Sequence, residues 1–242
     1  MSNALPPSSS PVSSSSQSPA NTFTELLVTL LAPSLVLMQL SSPERLGTMG
    51  ALMLALSMPL FWALRTAVRE RRFSWMAGLG VLSTLMTGGI GLLALDPQWL
   101  AVKEAAVPGL IGLVVLISAM TRKPLIRLLV FNPQIMDVPR IETALAVRGA
   151  TAAFERCLRL GTWMLAGSFA FSSAMNYALA RWVVQSPAGS EAFNAELGRM
   201  NLLSWPVIAI PSTLMMMGVL FYLARGIKQL TGMKLEECLR QQ

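Results

Sequence analysis

The chain has no histidine, two cysteines and few charged residues. Of its 242 residues, 13% are charged, against about a quarter in a typical soluble domain. The lack of histidine removes the commonest general base and metal ligand. The cysteines, Cys157 and Cys238, provide neither a disulfide framework nor a zinc site. We therefore expect no metal and no cofactor. A membrane enzyme built on clustered carboxylates or on a serine with a base stays possible in principle, but the sequence shows neither arrangement, so we expect no catalytic residues and the chain is predicted not to be an enzyme.

Hydrophobic residues make up 53% of the chain and fall into long runs. A run of about 20 apolar residues crosses the hydrocarbon core of a bilayer as a helix. The runs predict an all-α, polytopic membrane protein with a six-helix membrane domain over residues 23–226. Residues 1–22, rich in Ser and Pro, are a predicted disordered tail, and residues 227–242 a short cytoplasmic tail. The expected spans are about 25–41, 46–64, 75–95, 99–120, 160–184 and 202–224.

The segments between the runs contain signals for helix ends and turns. Ser41 and Asp96 are followed closely by Pro43 and Pro97, and we expect them to cap the second and fourth helices. The polar stretch between the last two runs, which contains Glu191, is predicted to be a loop.

The charged segment 124–159 is not predicted to span the membrane. From Val147 onward its pattern is amphipathic, and Glu155 and Arg159 form an (i, i+4) pair in the favourable order. We expect a helix that lies on the cytoplasmic surface of the membrane and runs into the fifth span.

Positive charge is distributed unevenly between the segments that separate the runs. With the N-terminus inside, fifteen of the nineteen Lys and Arg residues lie in inside segments and four in outside segments. Such a bias marks the cytoplasmic side. We expect a multi-pass protein with both termini in the cytoplasm. Basic loops facing anionic lipid account for the net charge of +7, so the lipid bilayer, and not nucleic acid, is the expected partner.

The fifth run has small residues on one face and polar residues on roughly the opposite face. A stripe of small residues lets another helix approach closely. An unpaired amide such as that of Asn176 is costly in hydrocarbon. Two interpretations are open: a polar path or substrate contact, or, as favoured here, a helix wedged between neighbours with Ser and Asn bonding across. The small residues are Ala166, Ala170, Ala174 and Ala178, and the polar ones Ser168, Ser172 and Asn176.

The third and fourth runs add further residues. Gly88 and Gly89 lie in the third run, where glycines suit close helix packing or a locally irregular helix. They are not part of a phosphate-binding loop, because no Lys-Ser/Thr follows them. Lys103 and Glu104 lie near the outer end of the fourth run, and charges inside a membrane domain are functional-site hypotheses.

Several short motifs between residues 80 and 180 resemble a known bacterial family. Their order and spacing are similar to the intracellular septation protein A family, and more closely to its uncharacterised six-span membrane relatives. The resemblance implies a bacterial inner-membrane protein of envelope maintenance or cell division, which acts through partners and without catalysis. The motifs are TGGIGL at Thr87–Leu92, DPQW at Asp96–Trp99 followed by Lys103, RKPLI at Arg122–Ile126, and NYA at Asn176–Ala178.

Two functions of different classes follow. The first is a non-enzymatic scaffold of the envelope or division machinery, with membrane-protein partners or a second copy of the chain; it rests on the resemblance and the alanine repeat. The alternative is a transporter of a small solute or a lipid-related compound, which the proline-interrupted spans suggest. A common cavity lined by Ser172, Asn176 and Lys103 distinguishes the two, because a closed, dry bundle favours the scaffold.

Overall fold

The computed structural model describes residues 30–70, 75–121, 124–130 and 136–233, and helices occupy most of these ranges. No strand occurs within them, so the predicted all-helical class is confirmed. The predicted tail 1–22, the start of the first span and the end of the chain from residue 234 lie outside the described residues. The helices are α1 (Ala32–Gln39), α2 (Gly47–Glu70), α3 (Trp75–Leu92), α4 (Gln98–Ala119), α5 (Leu125–Val130), α6 (Val138–Val147), α7 (Thr151–Val183), α8 (Glu191–Ser204) and α9 (Ile210–Thr231).

Three helical segments are long and apolar enough to cross a membrane: Gly47–Arg65, Gln98–Ala119 and Glu191–Thr231. They correspond to the predicted second, fourth and sixth spans, and they fit a membrane protein. The apolar segment of α3, Gly80–Leu92, is shorter. α7 is long, with 33 residues, but its serines, Asn176 and the charges of its first turns dilute its apolar character.

Neighbouring helices pack antiparallel, and the most extensive contact joins α4 to α7. A Cβ atom added to Gly112 would lie 2.9 Å from the Cβ of Phe169, so this approach requires glycine. Ser173 Oγ donates a hydrogen bond to the backbone oxygen of Ala105 at 2.8 Å. α9 lies antiparallel along another part of α7, and α2 pairs with α3 in the same sense.

Buried apolar side chains form two separate cores, one at each end of the bundle. The first contains Phe193 and Leu100 and joins α1, α2, α3 and α8 to the start of α4 and the end of α7. The second contains Leu158 and joins α5 and α6 to the start of α7 and the ends of α4 and α9. Along α7, the second core ends at Ala166 and the first begins at Leu179. The middle of the bundle therefore lies between the cores.

The link between α1 and α2 is held by an asparagine of α8. Asn194 is fully buried and donates to Ser41 Oγ at 3.0 Å and to the Thr48 backbone oxygen at 2.8 Å. Ser41 Oγ itself donates to the Leu37 oxygen at 2.7 Å. The prediction that Ser41 caps the second helix is therefore wrong, because α2 begins at Gly47 and Ser41 serves a tertiary contact instead.

The starts of α4 and α8 differ in their caps. Asp96 Oδ1 accepts the N–H of Gln98 at 2.8 Å, but Pro97 is the residue at the cap position of α4 and Asp96 precedes it, so the prediction that Asp96 caps the fourth helix is wrong by one residue. Ser190 Oγ accepts the N–H of Phe193 at 3.1 Å and caps α8. The stretch from Glu191 was predicted to be a loop, and that prediction is wrong, because Ser190 starts a helix whose apolar residues enter the first core.

The last helical segment contains a wider turn. α8 runs into a π-helical stretch, Trp205–Ala209, and then directly into α9. Pro211 has no N–H to donate to the preceding turn. The N–H of Ile210 reaches the Trp205 carbonyl, five residues back, which widens the helix at this point.

The helix predicted from Val147 into the fifth span begins at Thr151 and continues without a break to Val183, and a turn separates it from α6. α6 ends at Val147, Gly149 adopts a φ of 62°, and α7 begins two residues later. A positive φ favours glycine, so the turn is encoded locally. Within the described ranges, Glu155 pairs with Arg127 of α5 at 2.7 Å and not with Arg159. This ion pair joins α5 to α7, whereas an (i, i+4) pair lies within a single helix.

Replacing Asn194 with Ala should destabilise the protein, because the Thr48 oxygen and the Ser41 hydroxyl lose a buried donor. We expect the free energy of unfolding to fall by about 1–3 kcal/mol, measured as a lower Tm in detergent. Gln185→Ala, at an exposed position, is the control and should leave the Tm unchanged. An unchanged Tm in Asn194→Ala would show that this contact does not hold the link.

Candidate functional site

A cavity of about 670 Å³ lies between the two cores. Residues of α3 and α4 line one side of it, and residues of α7 and α9 line the other. Four of the six residues singled out in the sequence meet here, namely Lys103 and Glu104 of α4 with Ser172 and Asn176 of α7. The polar lining includes Ser83, Lys103, Glu104, Ser172, Asn176 and Ser212.

Lys103 is deeply buried at this cavity, with 6% of its side chain exposed. Its Nζ lies 2.6 Å from Glu104 Oε1 and 2.7 Å from Thr87 Oγ1, and a longer contact of 3.3 Å reaches Ser83 Oγ. An ammonium group has three N–H donors. Each donor of Lys103 therefore has an oxygen partner, and two of the three partners come from α3.

Glu104 neutralises the charge of Lys103 and is the more accessible member of the pair. Its side chain is 26% exposed. Removing one member of a buried ion pair costs roughly 3–5 kcal/mol, because the other charge is left uncompensated. Among the described residues that line the cavity, Lys103 and Glu104 are the charged ones. The site therefore has no net charge as long as both are ionised.

A second, smaller cavity of about 260 Å³ also borders this ion pair. It is formed by α1, α2, α3, α4 and α8, and its polar lining includes Thr84, Thr87 and Asn201. Ser83, Lys103 and Glu104 line both cavities. The ion pair is therefore shared by two neighbouring cavities.

The α7 side of the larger cavity presents serines and an amide. Asn176 Nδ2 donates to the Ser172 backbone oxygen at 2.7 Å, which is a bond within α7. Ser172 and Asn176 were predicted to bond across to another helix, but the amide donor of Asn176 stays within α7. The cross-helix hydrogen bond is made by Ser173 instead. The hydroxyl of Ser212, on α9, is a buried polar atom without a hydrogen-bond partner among the described residues. The cavity thus has spare hydrogen-bonding capacity.

Three polar positions at the two cavities were not singled out as site residues from the sequence: Ser83, Thr87 and Ser212. Ser83 and Thr87 are spaced (i, i+4), which places them on one face of α3, so a signal for a paired hydroxyl site was present. Ser212 is placed by the wide turn before α9, and sequence periodicity does not show that change of register.

Gly88 and Gly89 lie outside the larger cavity's lining and differ from each other. A Cβ atom on Gly88 would lie 2.7 Å from Leu56 Cδ1, whereas a Cβ on Gly89 would meet nothing within 4 Å. Gly88 therefore packs against the end of the Leu56 side chain of α2. α3, which contains Gly88, also provides Ser83 and Thr87 for Lys103.

The larger cavity is a cleft and not a closed void. α3 and α9 both line it, yet they make no direct contact with each other in the described part of the chain. Lining residues such as Gly80 and Thr213 are exposed. The cleft is closed along one side by the tight α4–α7 contact and is open between α3 and α9.

Comparisons with known proteins give no relative: no family model matches the chain, and neither a curated protein nor a solved structure matches it.

Replacing Gly88 with Val should destabilise the protein, because the added side chain meets Leu56. Overpacking of this kind costs about 1–3 kcal/mol, and we expect a lower Tm in detergent. Gly89→Val, one residue away in open space, should change the Tm much less. Equal effects of the two substitutions would contradict the close packing of α3 on α2.

Proposed function

We propose that this chain is a membrane transporter for a small polar solute, which binds in the cleft between α3–α4 and α7–α9. The single observation that carries the proposal is the cavity that Lys103, Glu104, Ser172 and Asn176 line together. Its volume of about 670 Å³ is in the usual range for small-molecule sites. A scaffold was expected to be a closed, dry bundle, so the cavity favours the transporter.

The placement of polar groups supports a site that meets water or a solute. A buried charge in a purely structural bundle is expensive unless fully paired. Here the pair borders two cavities, and Ser212, whose hydroxyl has no partner among the described residues, lines the larger one. A solute that passes between the two cavities would move past the ion pair.

We further propose that the protein crosses the bacterial inner membrane six times, with both termini in the cytoplasm. Three spans have the length and hydropathy of membrane helices. The antiparallel contacts of α2 with α3, α4 with α7, and α7 with α9 support the alternation that six spans demand. The excess of Lys and Arg in the segments predicted to be cytoplasmic agrees with this orientation in the membrane. In this orientation, α5 and α6 lie on the cytoplasmic side.

A scaffold function in the envelope or in division, similar to that of the septation protein A family, is the second proposal. One observation favours it: the alanine repeat of α7 is only partly covered. Ala166 is buried, but Ala170, Ala174 and Ala178 are exposed, which leaves a stripe suited to another membrane helix. Crosslinking in intact membranes that recovers only monomer would contradict this second function.

Replacing Lys103 or Asn176 with Ala should reduce solute flux, because each removes a polar contact from the cavity. Purified protein in liposomes is tested with radiolabelled amino acids, carboxylic acids, polyamines and sugars. For any solute carried, we expect flux at low concentration to fall roughly tenfold, the equivalent of about 1.4 kcal/mol of binding.

The control for the flux experiment is Leu220→Ala, on an exposed face of α9. It should transport like the parent protein. Parent protein that carries no tested solute faster than empty liposomes, or flux that is the same in Lys103→Ala and Leu220→Ala, would contradict transport through this cavity.

The topology predicts the side from which single cysteines are labelled. In a chain with Cys157 and Cys238 replaced by Ser, Gln185→Cys should react with a membrane-impermeant thiol reagent in intact bacteria. Thr143→Cys, on α6, should react only after permeabilisation, because α6 is expected in the cytoplasm. Both positions are outside the expected spans and exposed. Labelling of both cysteines from the same side would refute the alternation.

A further inference from the structure

The partners of Lys103 differ in how easily they can be exchanged. Thr87 and Ser83 are fixed on α3, and their hydroxyls have no charge. Glu104 is adjacent to Lys103 on α4, its side chain is 26% exposed, and it lines both cavities. Because all three donors of the ammonium are already used, an entering ligand has to displace one oxygen. Glu104 is the partner that a ligand can reach and that an anion can replace charge for charge.

We infer, on the basis of the proposed transport function, that the solute is a small carboxylate which replaces Glu104 as the anionic partner of Lys103 while Glu104 takes up a proton. The ligand's carboxylate then contacts Nζ of Lys103, and the two hydroxyls of α3 stay in place. The carboxyl group of Glu104, now neutral, turns into the space beside the pair.

The charge of the site stays balanced on binding of an anionic ligand only if Glu104 takes up one proton. Before binding, the site contains one ammonium and one carboxylate. A second carboxylate would leave an unpaired negative charge in the bundle, which is strongly unfavourable. If one proton from the aqueous phase binds to Glu104, the site again contains one positive and one negative charge. The solute anion and one proton therefore enter together, and no net charge moves.

No other titratable group competes for this proton at the cavities. The residues that face the pair from α3 are hydroxyl side chains and glycine, and those from α7 and α9 are Ser, Thr, Asn and apolar residues. α1, α2 and α8 contribute apolar residues and Asn201 to the smaller cavity. Within the described part of the chain, Glu104 is the one carboxyl group that lines either cavity, and Lys103 the one amine.

The rest of the larger cavity indicates what the carboxylate is attached to. Val107, Ile111 and Met216 provide an apolar wall, while the Ser172, Asn176 and Ser212 side chains lie among the polar lining. An apolar side chain with one amide group matches this mixture. N-acetylleucine has these groups and is the probe. N-acetylleucinamide has nearly the same shape without the charge, and leucinamide is a cation of similar size.

Binding of the three probes is measured by isothermal titration calorimetry on the full chain in lipid nanodiscs. N-acetylleucine should bind at least roughly tenfold more tightly than either amide, a difference of about 1.4 kcal/mol. Repeating the titration in buffers of different ionisation enthalpy gives the protons taken up, which should be about one per ligand. Because binding takes up a proton, the affinity should fall up to about tenfold per pH unit as the pH rises.

Two variants test carboxylate recognition by Lys103 and proton uptake by Glu104 separately. Glu104→Gln should still bind N-acetylleucine, but without proton uptake and without the pH dependence. Lys103→Met should lose the preference for the carboxylate over the amide. Leu220→Ala should behave like the parent protein in both respects, and the Tm of each variant establishes that it is folded.

Carboxylate binding without proton uptake, or equal proton uptake in Glu104→Gln, would overturn the inference. So would tighter binding of either amide, or a failure of all three probes to bind. In each of these cases, solute flux that depends on Lys103 leaves the proposed transport function standing. Absence of such flux removes the transport function as well.

Discussion

The ammonium group of Lys103 has to be matched by oxygen atoms where it is buried, and the centre of the bundle is organised by that requirement. Two hydroxyls of α3 and the carboxylate of Glu104 supply the oxygens. Gly88 packs α3, which provides both hydroxyls, against Leu56 of α2. The consequence is a neutral but highly polar centre between two apolar cores, so the bundle cannot be filled by hydrophobic side chains alone at this level.

The two apolar cores lie toward the two ends of the bundle, away from this polar centre. Phe193 and Leu158 are fully buried in them, and close van der Waals packing of such side chains stabilises the ends. The middle is held by backbone proximity instead, through Gly112 and the hydrogen bond of Ser173. The bundle is packed at both ends and along the central α4–α7 contact, whereas α3 and α9 on the opposite side make no direct contact in the part of the chain that the structure describes. That is the side on which the cleft opens.

Apolar run length was sufficient to predict the helical class, the approximate limits of α3 and α4, and the location of α2, α7 and α9, because hydrophobicity acts over whole turns. It did not predict α5, α6 or α8, which are short or more polar. The residues Lys103, Glu104, Ser172 and Asn176 were also found from sequence, since polar groups in apolar runs are conspicuous. Their common location was not predicted, because it depends on how α4 and α7 are rotated about their axes. Ser41 was misassigned for a similar reason: its partner, Asn194, is 153 residues away. The pair of Glu155 with Arg127 likewise depends on tertiary structure, whereas the (i, i+4) rule considers one helix only.

The short sequence distance between Lys103 and its partners has a consequence for biogenesis. Ser83, Thr87 and Glu104 all lie within twenty residues of it, in α3 or in α4. A nascent chain that has reached α4 already contains every oxygen that the ammonium needs. In the six-span arrangement proposed above, the α3–α4 hairpin can therefore partition from the translocon into lipid as one unit, with its charge already satisfied, before α7 has been synthesised.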